Sequence, residues 1–409
     1  MKVLIVHNEY RYPGGEEVVV AQERSLLERA GHQVVSYRRT NWETESDVGL
    51  RQIGLIKTIV WAKDSREEMA RLLEREKPQV VHVHNTFMVI SPSIYSACRE
   101  AGVPVVQTLH NFRLFCPAAF YYRDGRVCED CSDHSLWRGI WHACYRESRS
   151  TTAAVALMLK FHRMSNTWNQ AIEAYIALTG FARGRFIAAG LPEEKLAVKP
   201  NFMHPDPGMP TAPREYAMFA GRLSREKGVA TLLAAWAKLR SRIPLMIAGD
   251  GPELTALQAQ AAKLGLADVR FAGRLGREQT LTAMKGARFL LFPSVWYENF
   301  PMTIVESFAC GTPVIASRLG AMEEIVREGQ VGWNFAVGDP DDLAEKVEQV
   351  WNNSEQARCM SRQARQEYET RYTAEKNYSL LMEIYENAIR RRVPGCESMP
   401  RAVHPQVVA

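Results

Sequence analysis

The chain has 409 residues, 46% of them hydrophobic and 24% charged. That length suits two domains, and the composition excludes a disordered or fibrous chain. The net charge of +5 is too small to mark a nucleic-acid binder, and no helix-turn-helix or RNP-like pattern accompanies it. The longest apolar run, Ala153–Leu159, falls far short of the roughly 18–20 residues that cross a bilayer. The first apolar stretch, Val3–Val6, stops at His7 and Asn8, unlike a signal peptide. A cytoplasmic, two-domain protein is the expectation.

Val3–Val6 is a short, β-branched run suited to a strand buried on both faces. Gly14-Gly15 follows, then a helical stretch, Glu16–Ala30, stopped by Gly31. Val34-Val35 begins a second strand and Val80–His84 a third. A helix near Pro92–Ala101 leads to the strand Val105–Leu109. Tyr175–Leu178 and Leu196–Val198 continue the alternation. Residues 202–213 carry four prolines, at 205, 207, 210 and 213, and read as a linker. Beyond it, strands are predicted at Ala217–Ala220, Leu245–Ala248, Val269–Ala272, Phe289–Phe292 and Pro313–Ala316, each followed by a helical segment. About Asp341–Arg392 is helical and amphipathic, and 393–409 is expected to fray. Strands alternating with helices imply βαβ units and parallel sheets, with ligands at the carboxyl ends of the strands.

Chemistry concentrates in the second half. Pro293-Ser-Val-Trp-Tyr-Glu298-Asn299-Phe300-Pro301-Met-Thr303-Ile-Val-Glu306 joins a strand to a helix, with Pro301 in the first helical turn. Glu298 then precedes the helix and Glu306 lies on it, beside free N–H groups that suit an anion. One carboxylate can bond sugar hydroxyls and the other a ribose diol. Ala220-Gly221-Arg222-Leu-Ser-Arg-Glu-Lys227-Gly228 follows the first strand of this half. Arg222 and Lys227 would meet a diphosphate at the strand's carboxyl end, doing the work of a divalent metal, while Gly221 and Gly228 permit close backbone approach. Gly249-Asp250-Gly251-Pro252 repeats the turn one unit later, without the third glycine of a dinucleotide fingerprint.

Glu298-x7-Glu306, these two turns and Gly14-Gly15-x-Glu17 occur together in an order that resembles the retaining glycosyltransferases of family 4, also called glycosyl transferases group 1, over about residues 1–392. The resemblance implies the α/β GT-B fold: two Rossmann-like, doubly wound parallel-sheet domains facing across a cleft. It places an acceptor-side domain at 1–205 with a Cys-rich insertion at 112–150, a linker at 206–213 and a nucleotide-sugar domain at 214–372. A helix at 373–392 would pack back on the first domain. By position, Glu298 resembles the residue next to the reacting sugar carbon, Glu306 the ribose-binding glutamate, and Arg222 and Lys227 the pair that supports diphosphate departure. Asn299 and Phe300 would supply backbone donors, with Gly221, Asp250, Gly251, Pro301 and Thr303 completing the donor site. His110, at a strand end of the first domain, matches a histidine facing the donor sugar. Gly14 and Gly15 would let their loop approach donor phosphates or acceptor.

The implied reaction uses a nucleotide-diphosphate sugar, retains the anomeric configuration and needs no cofactor for catalysis. The acceptor would be a glycan or polyprenyl-linked glycan in bacterial surface polysaccharide synthesis. A nucleotide-sugar epimerase of the same fold and a non-catalytic nucleotide-sugar binder are the alternatives.

Cys116, Cys128, Cys131 and Cys144 form C-x11-C-x2-C-x12-C. In a reducing compartment this suits a structural zinc, with His134 or His142 able to replace one ligand; unligated thiols or a redox pair are the other readings. Between 134 and 192 seven basic residues face two acidic ones, an excess equal to that of the whole chain. Thr151–Arg163 there, and Leu50–Lys63, read as helices able to touch the inner face of the cytoplasmic membrane or to pack into a core.

Overall fold

A computed structural model describes residues 1–11, 14–44, 57–211 and 213–392. The expected tail at 393–409 and the first half of the expected helix at 50–63 lie outside them. The chain divides into two units. Unit 1 comprises Met1–Phe120, Glu129–Pro200 and the chain from Glu375 on; unit 2 comprises Tyr121–Cys128 and Asn201–Ala374.

Unit 1 is built on β1 (Lys2–Glu9), α1 (Gly15–Arg29), β2 (Gln33–Thr40), α2 (Lys63–Glu76), β3 (Val80–Asn85), α3 (Ile94–Glu100) and β4 (Val105–Leu109). After β4 the chain makes a two-stranded antiparallel hairpin, β5 (Tyr122–Arg123) and β6 (Arg126–Val127), which groups with unit 2. Unit 1 resumes with α4 (Leu136–Trp141), α5 (Arg149–Met164), β7 (Ala174–Ala177), α6 (Gly180–Ala188) and β8 (Leu196–Val198). Its sheet has the order β2-β1-β3-β4-β7-β8, and every pair is parallel.

Alternation along β3 sends Val81 and Val83 to one face and His82 and His84 to the other. All are buried. Met69 and Leu73 on α2 and Ile94 on α3 are buried as well. The histidine face is covered by α1 and by α13 (Ala374–Arg392), the last helix among the described residues, which returns to unit 1.

Unit 2 contains β9 (Tyr216–Ala220), α7 (Val229–Trp236), β10 (Leu245–Ala248), α8 (Leu254–Lys263), β11 (Val269–Gly273), α9 (Arg277–Gly286), β12 (Ala287–Phe292), α10 (Met302–Ala309), β13 (Val314–Ser317), β14 (Gly332–Phe335), α11 (Pro340–Asn352) and α12 (Ser354–Arg371). The strand order is β11-β10-β9-β12-β13-β14. Ala217, Phe219, Phe289 and Leu291 point into a core closed by α7 and α11. Met218, Ala220, Leu290 and Phe292 point into an opposite core closed by α10 and α12. This two-sided burial is why these strands read as unbroken apolar runs. β14, like the short β5 and β6, is missing from the sequence reading: Gly332 and Asn334 break its apolar character, although all four residues are buried.

Candidate active site

The loop after β12 holds Glu298 from three directions. Its Oε1 accepts from Lys227 Nζ at 2.6 Å, Ser294 Oγ at 2.7 Å and Trp296 Nε1 at 2.9 Å. Glu298 is 7% exposed, and Oε2 makes no hydrogen bond among the described residues. The carboxylate is therefore fixed by one oxygen and free to act with the other. Lys227 Nζ lies 5.6 Å from the Phe292 ring centre and 5.5 Å from that of Trp296, so its ammonium is confined by two aromatic faces as well as by Glu298. Ser294 and Trp296 were not singled out from the sequence. Their signal was present as polar donors four and two residues before the glutamate, but only the loop's return geometry makes them converge.

The loop after β9 is a single 3₁₀ turn, Arg225–Lys227, rather than the start of an α-helix. It is bound to its neighbours through backbone: Val295 N donates to Glu226 O at 2.9 Å, and Leu223 N to Asp250 O at 2.9 Å. The glycines serve this packing. Gly228 has φ +68°, and a Cβ there would sit 1.9 Å from Pro293 O; at Gly249, φ +151°, the distance to Gly221 O would be 1.8 Å. Close approach is thus to backbone carbonyls of the same unit, where the sequence suggested a ligand. Arg222 is exposed and its guanidinium has no partner among the described residues. Asp250 Oδ1 accepts from Gly251 N at 2.7 Å, shaping its own turn.

Pro301 caps α10 instead of occupying its first turn. The N–H groups of that first turn have no intrahelical acceptor, and Phe300, Asn299 and Thr303 are half-buried around them. Glu306, further along α10, has its pKa raised by burial, opposed by the positive charge of Arg277 on α9. Arg277 is a residue the motif reading missed.

The remaining sequence candidates lie in unit 1. Gly14 N donates to Glu17 Oε2 at 2.7 Å and Tyr10 N to Oε1 at 3.1 Å, capping α1. Burial opposes ionisation of Glu17, but the nearby His7 ring and these backbone donors outweigh it and bring its pKa to about 2. The positive end of α1 is thus occupied by a side-chain anion. Neighbouring Glu16 is pushed well above the usual range by burial and by Glu17. Gly15, exposed, is the first residue of α1.

His110 follows β4 and is half-buried, with Nε2 2.9 Å from His84 Nδ1. Behind it Lys199 and Glu23 form a fully buried ion pair. Glu23, His82 and His84 bring ligand atoms within 4.8 Å of one another, the one such metal-capable set among the described residues. A cation already serves it: Lys199 bonds Glu23, while His82 is engaged at Nδ1 by Tyr385 OH, 2.7 Å, and at Nε2 by Thr108 Oγ1, 2.8 Å. The four cysteines expected to hold zinc differ in burial. Cys116 and Cys131 are buried, Cys128 and Cys144 half-buried, and Cys128 groups with the other unit.

The histidines carry a pH prediction. Burial holds His82 and His84 uncharged, their pKa values well below the usual range. In the unfolded chain each titrates near 6.5, so at lower pH the unfolded state binds more protons and stability falls as pH falls. Two such groups should remove about 2.7 kcal/mol of unfolding free energy per pH unit below about 6. Urea titrations at pH 7.5 and pH 5 measure this; equal stabilities would mean the pair is protonated in the fold.

Two doubly wound parallel-sheet units belong to the GT-B glycosyltransferases. Anabaena Alr3699/HepE, solved in complex with UDP, aligns with TM-score 0.69 at 19% identity, covering 94% of this chain and 100% of that one. In sequence, residues 13–206 match the family model Glycosyltransferase Family 4 and residues 210–367 match Glycosyl transferases group 1. The chain belongs to this family of glycosyltransferases. It is 25% identical over 366 residues to "Uncharacterized glycosyltransferase MJ1607" of Methanocaldococcus jannaschii, covering 86% of this chain and 89% of that one. It is 28% identical over 172 residues to the O-antigen chain mannosyltransferase C of Escherichia coli, a match spanning 42% of this chain and 46% of that protein.

Proposed function

We propose that the protein transfers a sugar from a nucleotide-diphosphate donor, with retention at the anomeric carbon, to a glycan or polyprenyl-linked glycan in bacterial surface polysaccharide synthesis. The carrying observation is the convergence of Lys227, Ser294 and Trp296 on one oxygen of Glu298, ahead of the α10 N-terminus. Glu298 Oε2 would accept from a hydroxyl of the donor sugar. Lys227 and Arg222 would take up the charge of the departing diphosphate, so that this step calls on no divalent metal. Glu306 would hold the ribose. The solved HepE complexes with UDP and UDP-glucose support a donor of this class, and the E. coli relative's name supports a polysaccharide acceptor. Glu17 already occupies the positive end of α1, which favours acceptor hydroxyls over donor phosphates at the Gly14-Gly15 turn.

The test incubates the pure protein with a panel of nucleotide sugars, with and without glycan acceptors. Nucleoside diphosphate released only with acceptor, and a product of unchanged anomeric configuration by NMR, is the expected result. Turnover of the donor without acceptor would instead indicate an epimerase.

Membrane contact belongs to the same proposal. α5 buries Val155, Met158 and Leu159 yet leaves Leu157, Phe161 and Met164 exposed, by 52%, 42% and 77%. Trp137 and Trp141 on α4 are also exposed, as are Arg138, Arg149 and Lys160. Apolar groups interleaved with cations suit the surface of an anionic bilayer, and no helix among the described residues is long and apolar enough to cross one. Co-sedimentation with phosphatidylglycerol vesicles at low salt should be reduced at least about tenfold by Trp137→Ser with Trp141→Ser; unchanged binding would remove these helices from the contact.

A further inference from the structure

His110 is the accessible end of a buried polar chain whose other members no motif announced. β3 and β4 place His82, His84 and Thr108 on one face of the unit 1 sheet, and Lys199 emerges just past β8. α1 lays Glu23 over that face, and α13 adds Asn377 and Tyr385. Glu23 Oε1 bonds Lys199, and Glu23 Oε2 lies 3.6 Å from His84 Nε2. Neither Glu23 Oε2 nor His84 Nε2 has a hydrogen-bond partner, and both atoms are buried. His84 Nδ1 is 2.9 Å from His110 Nε2. The rings of His84 and His110 stack at 5.2 Å and line a cavity of about 40 Å³ with Asn85, Asn111 and Arg113. The outer edge of the His110 ring makes no hydrogen bond among the described residues.

Most members of this chain can donate or accept; two cannot. Lys199 only donates, so the Glu23 oxygen it touches must accept, and the carboxyl stays ionised although it is buried. Burial opposes that charge, but Lys199 outweighs it and holds Glu23 below the usual range. An ionised Glu23 Oε2 only accepts. A lone pair on His84 Nε2 would face it at 3.6 Å in a low-dielectric interior, so Nε2 must carry the hydrogen. That leaves His84 Nδ1 as an acceptor, which forces the hydrogen of His110 onto Nε2. Tyr385 and Thr108 impose no direction on His82, since hydroxyls serve either way.

We propose that Glu23, acting through His84, sets the tautomer of His110, so that His110 presents a bare Nδ1 as acceptor for a substrate hydroxyl. Glu23, His84 and Lys199 are positioning residues; His110 alone meets substrate. Burial keeps His110 neutral, with its pKa pushed down to about 3, so it neither donates a proton nor repels a cation. The tautomer stands on geometry alone, whereas its use toward a sugar hydroxyl rests on the glycosyl-transfer proposal above.

The experiment records long-range ¹H–¹⁵N correlations of the full chain labelled in its histidines, without substrate, at pH 7.5. Both His84 and His110 should be Nε2–H tautomers. Finding Nδ1–H at either ring overturns the proposal, and no variant is needed for that result. In the double variant Glu23→Gln, Lys199→Met, which removes both buried charges together, a measurable share of His110 should move to Nδ1–H. kcat should fall about tenfold, as for loss of one substrate hydrogen bond, with the acceptor KM unchanged. An unchanged tautomer and kcat in a folded double variant would also overturn it. If the unaltered protein transfers no sugar, the functional proposal fails while the tautomer measurement still decides the relay.

Discussion

Lys227→Met should lower kcat by about 10²–10³-fold, the usual cost of removing a group aimed at charge that develops in the transition state. Methionine keeps an unbranched stem between Phe292 and Trp296, so packing changes little while the ammonium is lost. Glu298 keeps its bonds from Ser294 and Trp296 but loses the cation at 2.6 Å. Leaving that carboxylate without its counter-charge should also cost about 1–3 kcal/mol of stability. The two effects are separable: activity is read at 20 °C, well below the melting transition, and stability by urea titration. Glu298→Ala should be equally inactive but closer to normal stability, since it removes the anion instead of stranding it. Near-normal turnover in both variants would remove the β12–α10 loop from the reaction.

Gly228→Ala should be more disruptive than its size suggests. Its φ of +68° alone costs an alanine about 1–2 kcal/mol. The added Cβ would also lie 1.9 Å from Pro293 O, a distance no side-chain adjustment can relieve, because the obstacle is backbone. The loops after β9 and β12 must separate, and with them the bond between Lys227 and Glu298. A total loss of about 3–5 kcal/mol is expected, at the exceptional end for one methyl group, together with loss of turnover. Gly184→Ala is the control: it lies within α6 with no atom within 4 Å of its added Cβ and no positive φ. It should be neutral or stabilising by about 1 kcal/mol. Equal melting curves for the two variants would show that the β9 and β12 loops are not locked together.

Local patterns carried most of the fold. Val105–Leu109 and Leu196–Val198 coincide with β4 and β8, because apolar β-branched runs between turn residues leave few alternatives. The pairing of Lys227 with Glu298, 2.6 Å apart, was suggested by sequence because both lie in short turns that follow strands of one sheet. The histidine cluster was not, for the opposite reason. Lys199 meets Glu23 across 176 positions, and His82 meets Tyr385 across 303. Val-Val-His-Val-His in a fully buried strand was the available signal, since burial obliges each imidazole to find a partner. Sequence spacing is equally silent on how the chain groups: Cys128 and Cys131, a close pair in sequence, fall in different units. The hairpin between Tyr121 and Cys128 was likewise expected on the acceptor side. Its tip, Gly125, instead lies against the Arg225 guanidinium beside Lys227, where an added Cβ would be 3.3 Å from Nη2.

The backbone passes between the units at 120/121, 128/129, 200/201 and 374/375, so neither unit is a continuous stretch of chain. Synthesis from the N-terminus therefore delivers every strand of the first sheet long before the helix that covers its histidines. Until Asn377 and Tyr385 leave the ribosome, Lys199 and His82 lack partners that the finished protein supplies. Closure of the N-terminal sheet thus waits on translation past Tyr385, and a ribosome that stalls inside the second sheet leaves the first with its polar seam open.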